Sequence, residues 1–299
     1  MSDVIHPKYL PYTREELTGH FADEKHLNQL VDSSRRLTAY VRRFEGLTGG
    51  FSLTPEVRRE RQLERDERAW TVSALKAVYD ANAMPALLDR AFAHTQGDER
   101  VGGWAEKVGG EDSTLRFEVG LYSPEVYREA LRRRYDERDA SVALVPYISD
   151  AAAGRTKLEG ATRADGVLSG QSATVVFEAK LLSDSSSHVT FDPLRNQIAR
   201  NLDILLDEKA ALKHEIDERY FVLLTPETFR RRPRSRHYGL LLREYVNNPD
   251  ALKEDLPHRD PEQVIALARR IGWATFEECR DLVPGACGWL PDGGAGGAA

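Results

Sequence analysis

The sequence predicts an α/β protein in which helices at both ends enclose a segment ordered helix, strand, strand, strand, helix, strand. Two observations predict it. Apolar residues recur at three- and four-residue steps through the first third and again after Arg236. Between these stretches, short runs rich in β-branched and apolar residues interrupt the helical spacing. At 299 residues the chain is long enough to bury an ordinary core without disulfides or a structural metal.

From Thr13 to Phe44, residues Leu17, Phe21, Leu27, Leu30, Val31, Leu37, Val41 and Phe44 give the stripe of one or two amphipathic helices, stopped by Gly49 and Gly50. Thr54 as N-cap and Pro55 at the first helical position open a second helix, which runs into Trp70, Leu75, Val78 and Tyr79. Gly97 to Gly110 is glycine-rich and aperiodic, so it reads as a loop. Ser123, Pro124 and Glu125 start another helix, with Tyr127, Leu131 and Tyr135 on one face.

Strands are predicted over Val142 to Ile148, Leu158 to Leu168, Thr174 to Leu182 and Tyr220 to Leu224. Asp192 and Pro193 cap a helix carrying Ile198, Leu202, Leu205 and Leu206. Helices are expected over Tyr238 to Val246 and Pro261 to Ile271, with Gly272 and Trp273 leading into Phe276 to Leu282. The expected division is a mainly helical region over 1–120, a core with C-terminal helices over 121–290, and a disordered glycine and alanine tail over 291–299.

The chain contains 41% hydrophobic and 30% charged residues, and no stretch approaches the roughly 20 apolar residues of a membrane span. Its first residues include His6, Pro7, Lys8 and Pro11 where a signal peptide needs an apolar run. Cys279 and Cys287 read as two reduced thiols, so a cytoplasmic protein is expected. A net charge of −6 argues against a surface that is basic overall, so phosphate binding must rest on local patches. Two arginine runs qualify, Arg132 to Arg134 and the group Arg230, Arg231, Arg232, Arg234 and Arg236, although a solvated surface is the plainer reading of either.

The chemistry concentrates at Thr174 to Lys180. Period-two alternation puts Glu178 and Lys180 on one face of an otherwise apolar strand. Two such charges need a cleft, a partner or a cation. Asp165 lies on the preceding strand, and the turn Ser169, Gly170, Gln171, Ser172 brings it beside Glu178. Two carboxylates there suit a hard cation such as Mg²⁺, with Mn²⁺ as a substitute. Glu159 shares strand parity with Asp165 and reads equally as a third acidic site residue or as an edge carboxylate.

The stretches Arg163 to Leu168, Val176 to Lys180 and Arg195 to Gln197 together resemble the core of the PD-(D/E)xK superfamily, the restriction-endonuclease-like phosphodiesterases. The resemblance covers roughly residues 121 to 225. It implies a central mixed four-stranded sheet flanked by helices, here with a helical N-terminal extension and C-terminal helices. It further implies Asp165 and Glu178 as metal ligands, the Ala179 carbonyl completing the shell, and Lys180 positioning the attacking water or stabilising charge at the phosphate. Gln197 resembles the helix glutamine of exonuclease-like branches. The family's proline before the first acid is replaced by Ala164, and Asn201 stands where those branches carry tyrosine.

The sequence thus predicts a Mg²⁺-dependent nuclease acting on nucleic acid, with DNA favoured over RNA by the family's habits alone, in defence or repair. The competing reading is a catalytically silent binding or assembly module of the same fold. A homodimer or a partner protein docked through the helical N-terminal region is compatible with either.

Overall fold

A computed structural model describes residues 4–32, 54–93, 101–139, 146–189 and 192–290. A hairpin of β1 (Val4–His6) and β2 (Leu10–Thr13) leads into α1 (Arg14–Thr18) and α2 (Glu24–Val31). The helices α3 (Pro55–Leu63), α4 (Glu67–Asp80), α5 (Met84–Ala91) and α6 (Trp104–Val108) follow, then β3 (Thr114–Leu121), α7 (Glu125–Asp136) and α8 (Pro146–Ala152). Next come β4 (Thr162–Ser169), β5 (Thr174–Ala179), α9 (Gln197–Leu205) and β6 (Arg219–Thr225). The chain continues through α10 (Glu227–Arg231), α11 (His237–Asn247), α12 (Pro249–Asp255), α13 (Pro261–Ala268), β7 (Ile271–Thr275) and α14 (Phe276–Leu282). No helix among the described residues is long and apolar enough to cross a membrane.

Apart from the β1–β2 hairpin, the strands form one mixed sheet of five, in the order β3, β4, β5, β6, β7. β4 runs antiparallel to both of its neighbours, β3 and β5, while β6 and β7 continue in parallel from β5. Every residue of β5 and β6 is buried, as a central strand covered on both faces requires. Alternation then divides their side chains. Val175, Phe177 and Ala179 of β5 join Tyr220, Val222 and Leu224 of β6 in a core with Leu75 and Val78 of α4, Leu87 and Leu88 of α5 and Phe276 of α14. Val176, Phe221 and Leu223 face the other way, into a core with Ile198, Leu202 and Leu205 of α9, Tyr238 and Leu242 of α11 and Leu267 of α13.

The sheet has five strands where four were expected. β3 lies inside the region read as helical, and β7 occupies residues read as a helix end and its exit. Of the strand expected over Val142 to Ile148, residues 141–145 lie outside the described residues and Pro146–Ala152 is helical. β4 begins only at Thr162, later than the expected Leu158. α6 falls in the segment read as a loop. The first 120 residues are mainly helical but form no separate layer, because one core runs from Tyr9 to Cys287 through both parts of the chain. The expected helix over 33–44 and the tail at 291–299 lie outside the described residues.

Side-chain caps open half of these α-helices. Thr54 Oγ1 accepts from Val57 N–H with Pro55 in the first turn, as the sequence suggested. The helix expected to open at Asp192 and Pro193 instead starts at Gln197, where Asn196 Oδ1 accepts from Ala199 N–H at 2.9 Å. Asp192 is engaged elsewhere, by Arg134 at 2.9 Å. Ser123 does not cap α7; its hydroxyl donates to Glu159.

α9 is tied to the C-terminal helices by Asp203, which is fully buried. Arg195 Nη2 and His258 Nε2 each lie 3.0 Å from one of its oxygens, and Arg259 Nε lies 2.5 Å from the other. Burial alone would raise the Asp203 carboxyl, but the His258 hydrogen bond and the Arg195 and Arg259 charges hold it at about 2. A depressed carboxyl stabilises the fold above its ordinary value near pH ~4 and loses that contribution as pH falls through about 2. Asp203→Ala is therefore expected to cost about 3–5 kcal/mol at pH 7 by urea unfolding, with the gap to wild type narrowing in acid.

Candidate active site

β4 and β5 pair from Ser169 opposite Thr174 to Gly166 opposite Phe177, which carries Asp165 to the side of Glu178. The Asp165 Oδ2 accepts from the Ala179 N–H at 2.7 Å, so the carboxylate is bonded directly to the neighbouring strand. An extended residue points its N–H and C=O to the same side, and the Ala179 carbonyl therefore also faces β4. Lys180 follows at the end of β5, its own N–H donating to Leu224 O of β6.

Glu178 is 2% exposed, and three side chains donate to it. Lys180 Nζ and Gln197 Nε2 each lie 2.7 Å from Oε1, and Asn201 Nδ2 lies 3.0 Å from Oε2. Gln197 and Asn201 are one helical turn apart on α9, so a single helix face supplies both amides. Gln197 opens that helix, and the positive end of its dipole favours a nearby carboxylate.

Glu67, the first residue of α4, completes the cluster. Its Oε1 lies 3.6 Å from Lys180 Nζ, while Oε2 accepts from Leu181 N–H at 2.8 Å and from the Ser183 hydroxyl at 2.7 Å. Sequence reasoning missed it, because an acid in the first turn of a helix is ordinarily explained by the helix dipole. Asn201 was read as a departure from a family pattern; the structure places it on Glu178.

The charges are strongly perturbed. Burial, then the neighbouring Glu178 charge, push Asp165 well above the usual carboxylate range, against the opposing pull of Lys180 and the Ala179 N–H. Burial also raises Glu178, partly offset by Lys180 and Asn201. For Lys180, burial is outweighed by Glu178, Glu67 and Asp165, so its pKa is raised and the ammonium stays charged at neutral pH.

The remaining predicted residues lie apart from this pair. Glu159 is bonded by the Ser123 hydroxyl and pairs with Arg200 Nε at 3.1 Å, because the chain from Leu158 to Ala161 precedes the strand and parity with Asp165 does not carry through it. Arg230 makes two bonds to Glu278, at 2.9 and 2.8 Å, and Arg231 pairs with Glu227 at 2.8 Å. Arg236 stacks over Phe229 at 4.2 Å, and Arg232 and Arg234 are exposed. The group does border the site: Asp184, four residues beyond Lys180, accepts from the N–H groups of His237 and Tyr238 at 2.8 and 3.2 Å. Beside Glu67 a cavity of about 450 Å³ is lined by Arg61, Arg65, Arg68 and Leu181 to Ser183.

Among the described residues, no three His, Cys, Asp or Glu side chains converge as a metal-ligating group. The donors present are two carboxylates, Asp165 and Glu178, with the Ala179 carbonyl beside them. Asp165 is partly exposed and lies against the Ala179 backbone beside Glu178, a set of hard oxygens that fits a cation keeping most of its ligands as water. Comparisons with protein-family models, curated proteins and solved structures return no match for this chain.

Because Asp165 is raised, the folded protein holds a proton there that the unfolded chain has lost. Stability therefore falls as pH rises from the ordinary carboxylate value to the raised one, and ionised Asp165 remains a cost above it. In cation-free buffer at pH 8, Asp165→Asn keeps an acceptor for the Ala179 N–H and is expected to raise Tm by about 2–4 °C over wild type, an advantage that vanishes at pH 4.

Proposed function

We propose that the chain is a Mg²⁺- or Mn²⁺-dependent nuclease of the restriction-endonuclease-like type, hydrolysing phosphodiester bonds in nucleic acid, DNA in the first instance. The observation that carries this reading is the cluster of half-buried Asp165 with buried Glu178 and Lys180, brought together from two neighbouring strands. The arrangement of β3 to β6 with α4 and α9 on opposite faces accords with the central mixed sheet of that superfamily.

Asp165 and Glu178, with the Ala179 carbonyl, would hold the cation. Bound there, it would supply a water of lowered pKa and offset charge on the phosphate. Lys180 keeps its ammonium charged next to the reacting centre, where it orients the attacking water or stabilises the developing negative charge. Gln197 and Asn201 fix the rotamer of Glu178, and Glu67 holds the chain from Leu181 to Ser183 against the end of α4. Exposed Arg232 and Arg234 are available for phosphate contacts away from the chemistry.

One observation favours the second reading, a catalytically silent module. Three donors already satisfy Glu178, so the cluster is stable as a hydrogen-bonded unit without a cation.

Cleavage of supercoiled plasmid, linear duplex and single strands in Mg²⁺ or Mn²⁺ separates the two. Wild type is expected to cut at least one of these, and Glu178→Ala and Lys180→Ala are each expected to lower the rate by about 100-fold or more while remaining folded. Cutting that persists in both variants removes these residues from the chemistry, and a wild type that cuts none of the substrates supports the silent module. A further variant tests the added acid: Glu67→Gln is expected to slow the same reaction about 10-fold or more, through loosening of residues 181–183.

A further inference from the structure

We propose that the cavity at the turn from β3 into α7 is a nucleotide subsite that takes an unstacked base on Tyr122 and its phosphate on Lys157 and Arg132, so that the substrate is single-stranded or frayed at the site. This rests on nucleic acid being the substrate class.

The cavity measures about 420 Å³, a size suited to one small ligand, and is lined by Tyr122, Ser123, Arg128, Arg132, Lys157 and Glu159 among others. Tyr122 is 69% exposed, more than any other large apolar side chain among the described residues. An exposed aromatic ring lining a cavity that also carries cations is an arrangement that can bind a base by its face and its phosphate by charge.

The charge balance at the rim favours an anion. Arg128 and Arg132 both pair with the single carboxylate of Glu125, and Lys157 is exposed, so three cations stand against one acid. At the floor Glu159 is neutralised by Arg200 and bonded by the Ser123 hydroxyl. The buried acid therefore does not repel a phosphate at the mouth.

The position relative to Asp165 and Glu178 follows from the sheet. Leu121 pairs with Thr162, so Tyr122 leaves β3 where β4 enters, and four strand residues at roughly 3.3 Å each put Asp165 about 13 Å away along the sheet. α9 links the two places: Gln197 and Asn201 bond Glu178, and between them Arg200 bonds Gly160 O at 3.0 Å and pairs with Glu159. A strand whose phosphate lies at Glu178 can thus place a base a few nucleotides away on Tyr122. A base stacked inside an intact duplex presents no face to that ring.

Fluorescence anisotropy of a labelled oligo-dT strand and of a blunt hairpin duplex, with the full chain in EDTA so that nothing is cut, tests the subsite separately from catalysis. Tyr122→Ala is expected to weaken binding of the strand by about 10-fold or more and leave the duplex unaffected, Tyr122→Trp to restore it, and Lys157→Gln to weaken it and flatten its salt dependence. Wild-type binding of the strand that Tyr122→Ala leaves unchanged, or strand and duplex weakened alike, overturns the subsite while the nuclease reading stands. Tyr122-dependent binding by a protein that cuts nothing sustains the subsite and defeats the nuclease reading. No binding of either probe by wild type overturns the subsite.

Discussion

The structure is organised around two carboxylates set side by side, half-buried Asp165 on β4 and buried Glu178 on β5. Left alone, such a pair opposes folding, since burial raises Asp165 and the charge of Glu178 raises it further. The surrounding architecture supplies the compensation. Lys180 comes from the same strand, the Ala179 N–H from the backbone between them, and two amides from α9. Each donor arrives on an element whose apolar face is anchored in one of the two cores, which keeps the polar cluster at a fixed geometry.

The same cluster joins the layers on either side of the sheet. α4 reaches it through Glu67, which also grips the chain after Lys180, and α11 is capped by Asp184 from that segment. Residues 180 to 184 are thus held from both faces of the sheet. These bonds fix the position of Lys180 beside Glu178.

Much of this was legible in the sequence, for identifiable physical reasons. The run Thr174 to Lys180 places two charges on a strand that is otherwise apolar, a conflict that calls for partners, and the hairpin before it fixed which acid would be its neighbour. Gln197 was legible through its helix. β3 escaped, although Leu115, Phe117, Val119 and Leu121 alternate, because the glycine-rich stretch before it suggested a loop. β7 escaped because a five-residue strand directly after a helix leaves no room for a periodic signal. Glu159 misled because parity holds only while a strand continues, and β4 starts after it. Glu67 could not be found from sequence, since its partners lie more than a hundred residues away.

The central claim is that Asp165 and Glu178 form a divalent-cation site, and calorimetric titration of Mn²⁺ into the purified protein tests it most directly. Binding is expected at a single class of site that is abolished in Glu178→Ala, accompanied by proton release, and tightening as pH rises through the elevated range of Asp165. Binding that is absent in wild type, or that persists unchanged without Glu178, would contradict it and leave the cluster as a structural network.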